Sequence, residues 1–395
     1  MSTNSDIFKD IRPYLDREVP EAIAQLLADK NFRKVVEPIL KPLTWEQSSA
    51  LLMESKTKYD FQKTVVYPIM RRLIKDTTTE MNGSNWENID KNIARLFISN
   101  HRDIVLDAAF FNILLFDNDS DTTEIAIGDN LLIYPWIENL VRINKSFIVK
   151  RSVSVRQMLE VSGQLSNYIN DTINNRNQSI WLAQREGRAK DSNDKTQISL
   201  LKMLVLNNRA NPIDALKQLN ITPLSISYEY DPCDFLKAKE FQLKRDNPDH
   251  KKSQADDIEN MYTGMVEFKG RVHFKLGNPI NPQLIDIPSE IERGEMLQTV
   301  ADIIDKEIYT NYTFYPINYV AYDLMTDSNS FTSQYNEDDK SKFELYLNTQ
   351  LAKIDIPEKD EDFLRMKIIE MYGNTVKSYL KVKKHNITFC KPVKE

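Results

Sequence analysis

Residues 93–107 read Ile93-Ala94-Arg95-Leu96-Phe97-Ile98-Ser99-Asn100-His101-Arg102-Asp103-Ile104-Val105-Leu106-Asp107. The first seven form a short, mainly apolar run, the pattern of a strand buried in a sheet. A polar stretch follows at once, and it carries a histidine and two carboxylates. Five further runs have the same character: TEIAIG (123–128), SFIVK (146–150), SIWLAQ (179–184), TPLSISY (222–228) and RVHFKLG (271–277). Helix-patterned segments lie between most of them, including 132–142, 153–172 and 196–208. Strands that alternate with helices predict an α/β fold with a largely parallel mixed sheet flanked by helices. In such a sheet, chemistry collects at the strand ends, in the loops that lead into the helices.

The flanks read as helical additions. In VPEAIAQLLADKNFRKVVEPIL (19–40) apolar residues recur three and four positions apart, and 7–80 as a whole shows no strand-like alternation. TTTEMNGSNWENID (77–90) is polar and contains Asn82-Gly83, a turn signal, so a boundary is expected there. After about 285 the pattern is helical again, at 289–308, 316–325, 337–352 and 359–383, with TDSNSFTSQYNEDDKSK (326–342) as a polar surface loop. The expected division is an N-terminal helical region (1–80), an α/β domain (81–310) and a C-terminal helical extension (311–395) ending in the basic tail KSYLKVKKHNITFCKPVKE (377–395). Two basic segments are candidates for anionic lipid, that tail and QKTVVYPIMRRLIK (62–75). For 62–75 the favoured reading is a packed helix with one solvated face.

Composition narrows the function. The 395 residues include only 9 glycines, which leaves little capacity for phosphate-cradling loops. The net charge of −6 argues against a nucleic-acid partner. Cys233 and Cys390 are the two cysteines, too far apart to read as a disulfide framework, and point to a reducing compartment. His101, His250, His273 and His385 show no metal-ligand spacing, so no metal is expected. The N-terminus lacks a signal-peptide layout, and no apolar run approaches the roughly 20 residues of a membrane span. The expectation is a cytoplasmic protein that meets any membrane substrate peripherally, at the inner face.

The chemistry gathers at strand ends. A histidine just past a strand, with a carboxylate a few residues on, can form a base and its orienting partner. His101 with Asp107 fits, and Asp103 is a rival orienter. His101-Arg102-Asp103 also begins a protein-kinase catalytic loop, but the Asn required five positions after the Asp is Ala108 here. A serine hydrolase would need Gly-x-Ser-x-Gly, and the chain has no such string. Glu186-Gly187-Arg188-Ala189-Lys190 follows the run at 179–184, and Lys150 and Arg151 follow the run at 146–150. Arg151, Arg188, Lys190 and Lys195 offer charge suited to a phosphate or carboxylate. Ile221 to Glu229 ends in Tyr228-Glu229, with Pro223 near its start.

Taken in order, these strand ends resemble the glycerol-phosphate acyltransferase family, in its soluble or peripheral forms, over roughly 93–325. Asn100-His101-Arg102 resembles the start of the first motif, Phe147 to Ser152 the second, Glu186-Gly187-Arg188 the third and Ile221 to Glu229 the fourth. Val272 to Ile280 looks like the strand that follows. The resemblance implies a fatty acyl group moved from a thioester, on CoA or acyl carrier protein, to a hydroxyl, with no cofactor. His101 would be the base and Asp107 its orienter. Lys150, Arg151, Glu186, Gly187, Arg188 and Lys190 would form the substrate site. Glycerol 3-phosphate, lysophosphatidate or an acylated amino acid would be the acceptor, in phospholipid or aminolipid synthesis. One departure stands out: five residues separate His101 from Asp107, where the family has four. Six positions on a regular helix put the two on different faces, so His101 must lie on the loop before the helix, or a bulge must absorb a residue. The alternative reading is a catalytically silent lipid-binding or scaffold protein with the same fold.

Overall fold

A computed structural model describes residues 7–151 and 153–389. Its centre is a seven-stranded sheet: β1 (Glu80–Ser84), β2 (Leu96–Ser99), β3 (Glu124–Gly128), β4 (Ser146–Val149), β5 (Ile180–Ala183), β6 (Thr222–Tyr228) and β7 (Arg271–Leu276). The order across the sheet is β1-β7-β6-β2-β5-β3-β4. Every neighbouring pair is parallel except β6 and β7, so β1 and β7 run against the other five. The expected largely parallel mixed sheet flanked by helices is therefore the observed one.

Alternation explains why β2 and β5 are almost wholly apolar. Leu96, Ile98, Ile180 and Leu182 face one layer, where the helices Val155–Asn174, Ile198–Leu204 and Arg293–Thr310 cover them. Phe97 and Trp181 face the other, against Phe110, Phe111 and Leu114 of the helix Leu106–Asp117. A strand covered on both faces needs apolar residues at every position. β6 is the exception that fits: its Ser225 donates to the Ile308 carbonyl and its Ser227 accepts from the Thr313 amide, so the hydroxyls are satisfied inside the core.

The first strand corrects the sequence reading. Glu80 to Ser84 is not a turn but an edge strand, paired with β7 alone, and Asn82-Gly83 lies within it. Edge strands tolerate polar residues because one side and much of one face meet water. The preceding helix, Tyr67–Thr77, contains most of the basic segment 62–75 and packs as an ordinary helix. Ile74 is buried, and Tyr67 and Arg71 bond to Asp117. Helices Asp234–Asp246 and Gln254–Val266, between β6 and β7, carry no expectation from the sequence.

The N-terminal helices share a core with Trp136 and Ile143 of the helix Pro135–Ile143. The C-terminal helices Pro316–Thr326, Glu337–Ala352 and Glu361–Phe389 build another around Phe343, Leu347, Ile368 and Tyr372, with Ala238 of Asp234–Asp246 in it. The segment expected as a loop at 326–342 is partly helix from Glu337, and Asp323 fastens the remainder through Ser330, Phe331 and Tyr335. Among the described residues, no helix is long and apolar enough to cross a membrane. Cys390, Ser152 and the last residues of the basic tail lie outside the described residues.

Candidate active site

β2 sits at the middle of the sheet, and the chain leaves it under tight control. The Asn100 side chain donates to the Ile226 carbonyl at 2.8 Å and accepts from the Ile226 amide at 2.8 Å. It thus makes with β6 the pair of bonds that a strand residue would make with its backbone, just beyond the last paired residue, Ser99. His101 follows on the loop, and the helix begins only at Leu106. The spacing to Asp107 is therefore not read on a helix. The Asp107 carboxylate, in the first turn, points back at the loop.

Asp107 Oδ2 receives three donors. The Arg102 amide lies at 2.6 Å, the Asp103 amide at 3.1 Å and His101 Nδ1 at 2.8 Å. An oxygen already bonded by two backbone N–H groups offers the ring only acceptor capacity, so Nδ1 carries a hydrogen, and in the neutral ring the lone pair is on Nε2. Among the described residues, none is hydrogen-bonded to Nε2. The Trp181 indole meets the imidazole edge-on at 5.8 Å, and its own N–H is fixed on Ser99 Oγ at 3.0 Å. The side chain of His101 keeps 13% exposure while that of Asp107 has none, so a ligand can reach the ring but not its partner.

Asp103 has a different place. Its Oδ1 accepts from the amides of Val105 and Leu106, at 2.9 and 2.8 Å, and so caps the start of the helix. Its Oδ2 is buried without a hydrogen-bond partner. Burial, and then the Asp107 charge, push its carboxyl above the ordinary value.

Unsatisfied polar groups concentrate around this loop. Seventeen buried side-chain N and O atoms lack a hydrogen-bond partner among the described residues; ten belong to Arg102, Asp103, Asp107, Gln184, Arg185, Arg188, Asp194 and Tyr228, and of these Arg102 Nη2 is met by the Asp194 carboxylate as an ion pair. All eight residues lie at or beyond the C-terminal ends of β2, β5 and β6, three neighbouring strands. Buried groups left open in this way mark a place where water or a ligand completes the structure. Arg102 stands 2.9 Å from Asp194 and over the Tyr312 ring. Burial opposes its charge, but Asp194 restores it, and the guanidinium is held above its ordinary value. Burial, then the Asp107 charge, hold the Tyr228 phenol well above its ordinary value, so it remains a donor. Arg102, Ser227, Tyr228, Asp231, Tyr312 and Tyr372 line a cavity behind the loop.

The expected anion-binding residues are dispersed over this end of the sheet. Arg151 and Glu186 come together at 3.5 Å, and the Arg151 amide is anchored on Asp129. Gly187 has φ +66°, a left-handed turn that lets the chain fold back. Arg188 donates to Asn260 at 2.7 Å and keeps one Nη open in the buried region near Asp103. Lys150 instead pairs with Asp10, and Lys190 with Glu240, where burial lowers its pKa against the pull of Glu240. Lys195 is exposed. His273 bonds to Ser84 on the edge strand. Burial pushes the Cys233 thiol up to about 12, so it stays protonated and is a poor nucleophile.

No family model matches the chain, and no curated protein matches it. Among solved structures, it is similar to the 1-acyl-sn-glycerophosphate (LPA) acyltransferase PlsC from Thermotoga maritima. That likeness has 12% identity and a TM-score of 0.35, and it covers 76% of this chain and 100% of the other.

Sequence reasoning missed Lys237, Asp231 and Asp194. Lys237 is fully buried, donates to the Arg102 carbonyl at 3.1 Å and pairs with Asp231. Each comes from a distant part of the chain, with nothing in its local pattern to mark it. Arg102 was in view only as part of the motif; its ordinary-looking charge gave no sign of burial beside Asp194.

Proposed function

We propose that this chain is an O-acyltransferase that moves a fatty acyl group from a thioester to the hydroxyl of glycerol 3-phosphate or a related lipid precursor. The observation that carries the reading is the hydrogen bond of 2.8 Å from His101 Nδ1 to Asp107 Oδ2, at the end of the central strand, with Nε2 left unbonded by the described residues. The order of the strand-end motifs supports it, because β2, β4, β5 and β6 run in the same direction and so end on the same side of the sheet. The loop placement of His101 also accounts for the His–Asp spacing, because helical periodicity does not apply before Leu106.

In the proposed reaction, His101 Nε2 takes the proton of the acceptor hydroxyl as its oxygen attacks the thioester carbonyl. Asp107 holds the tautomer and stabilises the imidazolium. The tetrahedral intermediate collapses, the C–S bond breaks, and the thiolate leaves with the proton from Nε2. The products are an ester and a free thiol, on CoA or acyl carrier protein. Arg151 and Arg188 hold the acceptor's anionic group, and Glu186 braces Arg151. Lys150 and Lys190 act at longer range, each with an acidic partner.

The test is acyl transfer by the purified chain. Acyl-CoA and acyl carrier protein serve as donors, and glycerol 3-phosphate, lysophosphatidate and an acylated amino acid as acceptors, with products read by mass spectrometry. One acceptor is expected to be acylated, and His101→Ala to lower turnover by roughly two to four orders of magnitude. Transfer by His101→Ala at the wild-type rate, or no transfer with any pair, would overturn the proposal.

A further inference from the structure

Lys237 lies on the helix Asp234–Asp246, 135 positions from Arg102, and its side chain is buried. Its ammonium donates to the Arg102 carbonyl at 3.1 Å. That carbonyl and the Asp103 amide belong to one peptide group. The Asp103 amide donates to Asp107 Oδ2 at 3.1 Å, and the same oxygen receives His101 Nδ1 at 2.8 Å. An unbroken line of donors and acceptors therefore runs from the ammonium, through one peptide, to the carboxylate and the imidazole.

We propose that Lys237 is a positioning residue that sets the proton affinity of His101 through the Arg102–Asp103 peptide, an inference that rests on His101 being the base. A cation bonded to a peptide carbonyl polarises the whole group, and its N–H becomes a stronger donor. The Asp103 amide then draws charge from Asp107 Oδ2. Less charge remains to stabilise an imidazolium, so the ring holds its proton less tightly. The direct field of the ammonium acts in the same direction. Asp231 opposes both by neutralising Lys237. Burial works to raise the Asp231 carboxyl, but Lys237 overrides it and holds it below the ordinary value, so the pair is ionised. Salt screens these charges little because they are buried. The other charged or titratable groups around the loop that carries His101 include Arg102, Asp103, Asp107, Arg188, Asp194, Tyr228, Cys233 and Lys269, and they are common to every variant compared below.

The relay has opposite consequences for its two ends. Lys237→Met removes the polarising charge, so His101 is expected to titrate at higher pH. Asp231→Asn leaves Lys237 on the Arg102 carbonyl without its counter-charge, so His101 is expected to titrate at lower pH. Each shift should be about half a unit or more. The measurement is an NMR titration of the imidazole nitrogens in the full chain, with the His101 signal assigned by its loss in His101→Ala. Shifts of opposite sign, with the Asp103 amide proton signal moving in both variants, support the relay; opposite shifts with that amide signal unmoved leave only the direct field and overturn it. A midpoint that stays in place in both variants, or moves the same way in both, overturns it. Lys237→Met leaves a buried carboxylate uncompensated and can fail to fold. Asp231→Asn leaves the buried ammonium uncompensated in the same way. Whichever variant folds then decides, and anything but an upward shift in Lys237→Met or a downward shift in Asp231→Asn overturns the relay. The readout needs no substrate. Loss of the proposed acyl transfer and loss of the relay are therefore separate outcomes.

Discussion

A Cβ placed on Gly264 would lie 2.0 Å from Oδ2 of Asp103. The helix Gln254–Val266 thus rests directly on the carboxylate that caps the helix bearing Asp107. No other residue type fits at 264 without moving Asp103. Gly264→Ala is expected to push Asp103 off the Val105 and Leu106 amides. Loss of the cap costs about 1 kcal/mol, and overpacking adds about 1–3 kcal/mol. Thermal melting checks it, with Asp103→Ala/Gly264→Ala as the companion. The double variant has room for the new methyl, so the second substitution should cost far less there. A Gly264→Ala protein that melts like wild type would contradict the close packing.

Asp107 and His101 should behave as one unit. In Asp107→Asn the amide can present a donor to Nδ1, which favours the wrong tautomer. The expected fall in kcat/KM is roughly 10³-fold or more. In its proposed role Asp107 acts only through the ring, so the His101→Ala/Asp107→Asn double variant should be no slower than His101→Ala alone. Acyl-transfer rates of the two singles and the double settle it. Losses that multiply would mean that Asp107 acts independently of His101.

The strands and the His–Asp pair were legible for different reasons. β2 to β6 announce themselves through short, mainly apolar runs, since burial on both faces leaves few polar positions, and β7 through alternation, with Val272, Phe274 and Leu276 buried between half-buried Arg271, His273 and Lys275. β1 did not, because Glu80 to Ser84 is a polar edge with an Asn-Gly inside it, and its strand character comes only from pairing with β7. The reversal between β6 and β7 was invisible too, as pairing direction leaves no mark on composition. His101 was legible from its position after a strand. Its partner was harder, since helical arithmetic fails for a residue that lies before the helix starts. Lys237 could not be found at all, because its role depends on a carbonyl 135 positions away.

Gly187 tests the loop after β5. Its φ is +66°, yet among the described residues nothing beyond its chain neighbours lies within 4 Å of where a Cβ would sit. Backbone conformation alone, not space, requires glycine there. Gly187→Ala should cost about 1 kcal/mol, Gly187→Asn less, and Gly187→Val more, because branching at Cβ disfavours the left-handed region further. Melting temperatures should follow that order. If Arg188 positions the acceptor, the acceptor KM should rise in the same order while the donor KM stays put. An equal melting temperature for all three would show that the turn relaxes freely.

Asp234 gives the structure a pH dependence of defined sign. Its carboxylate is buried, accepts from Tyr346 at 2.6 Å and Tyr372 at 2.8 Å, and ties the C-terminal helices to the helix that carries Lys237. Burial raises its pKa from the ordinary 3.8 to about 7, although both phenols act to lower it. Between those two values the folded chain holds a proton that the unfolded chain has released. Stability contributed by this group therefore falls as pH rises through the window from about 4 to 7, and levels off above it. Below the window both states are protonated and the effect vanishes. Asp234→Asn cannot ionise and should lose this slope, so its stability relative to wild type should improve from pH 5 to pH 8. Urea unfolding at several pH values reads the difference directly, since all other groups cancel between the two proteins. A difference that is flat across the window, or that favours wild type more at pH 8 than at pH 5, would mean that Asp234 is already ionised in the folded chain at pH 5.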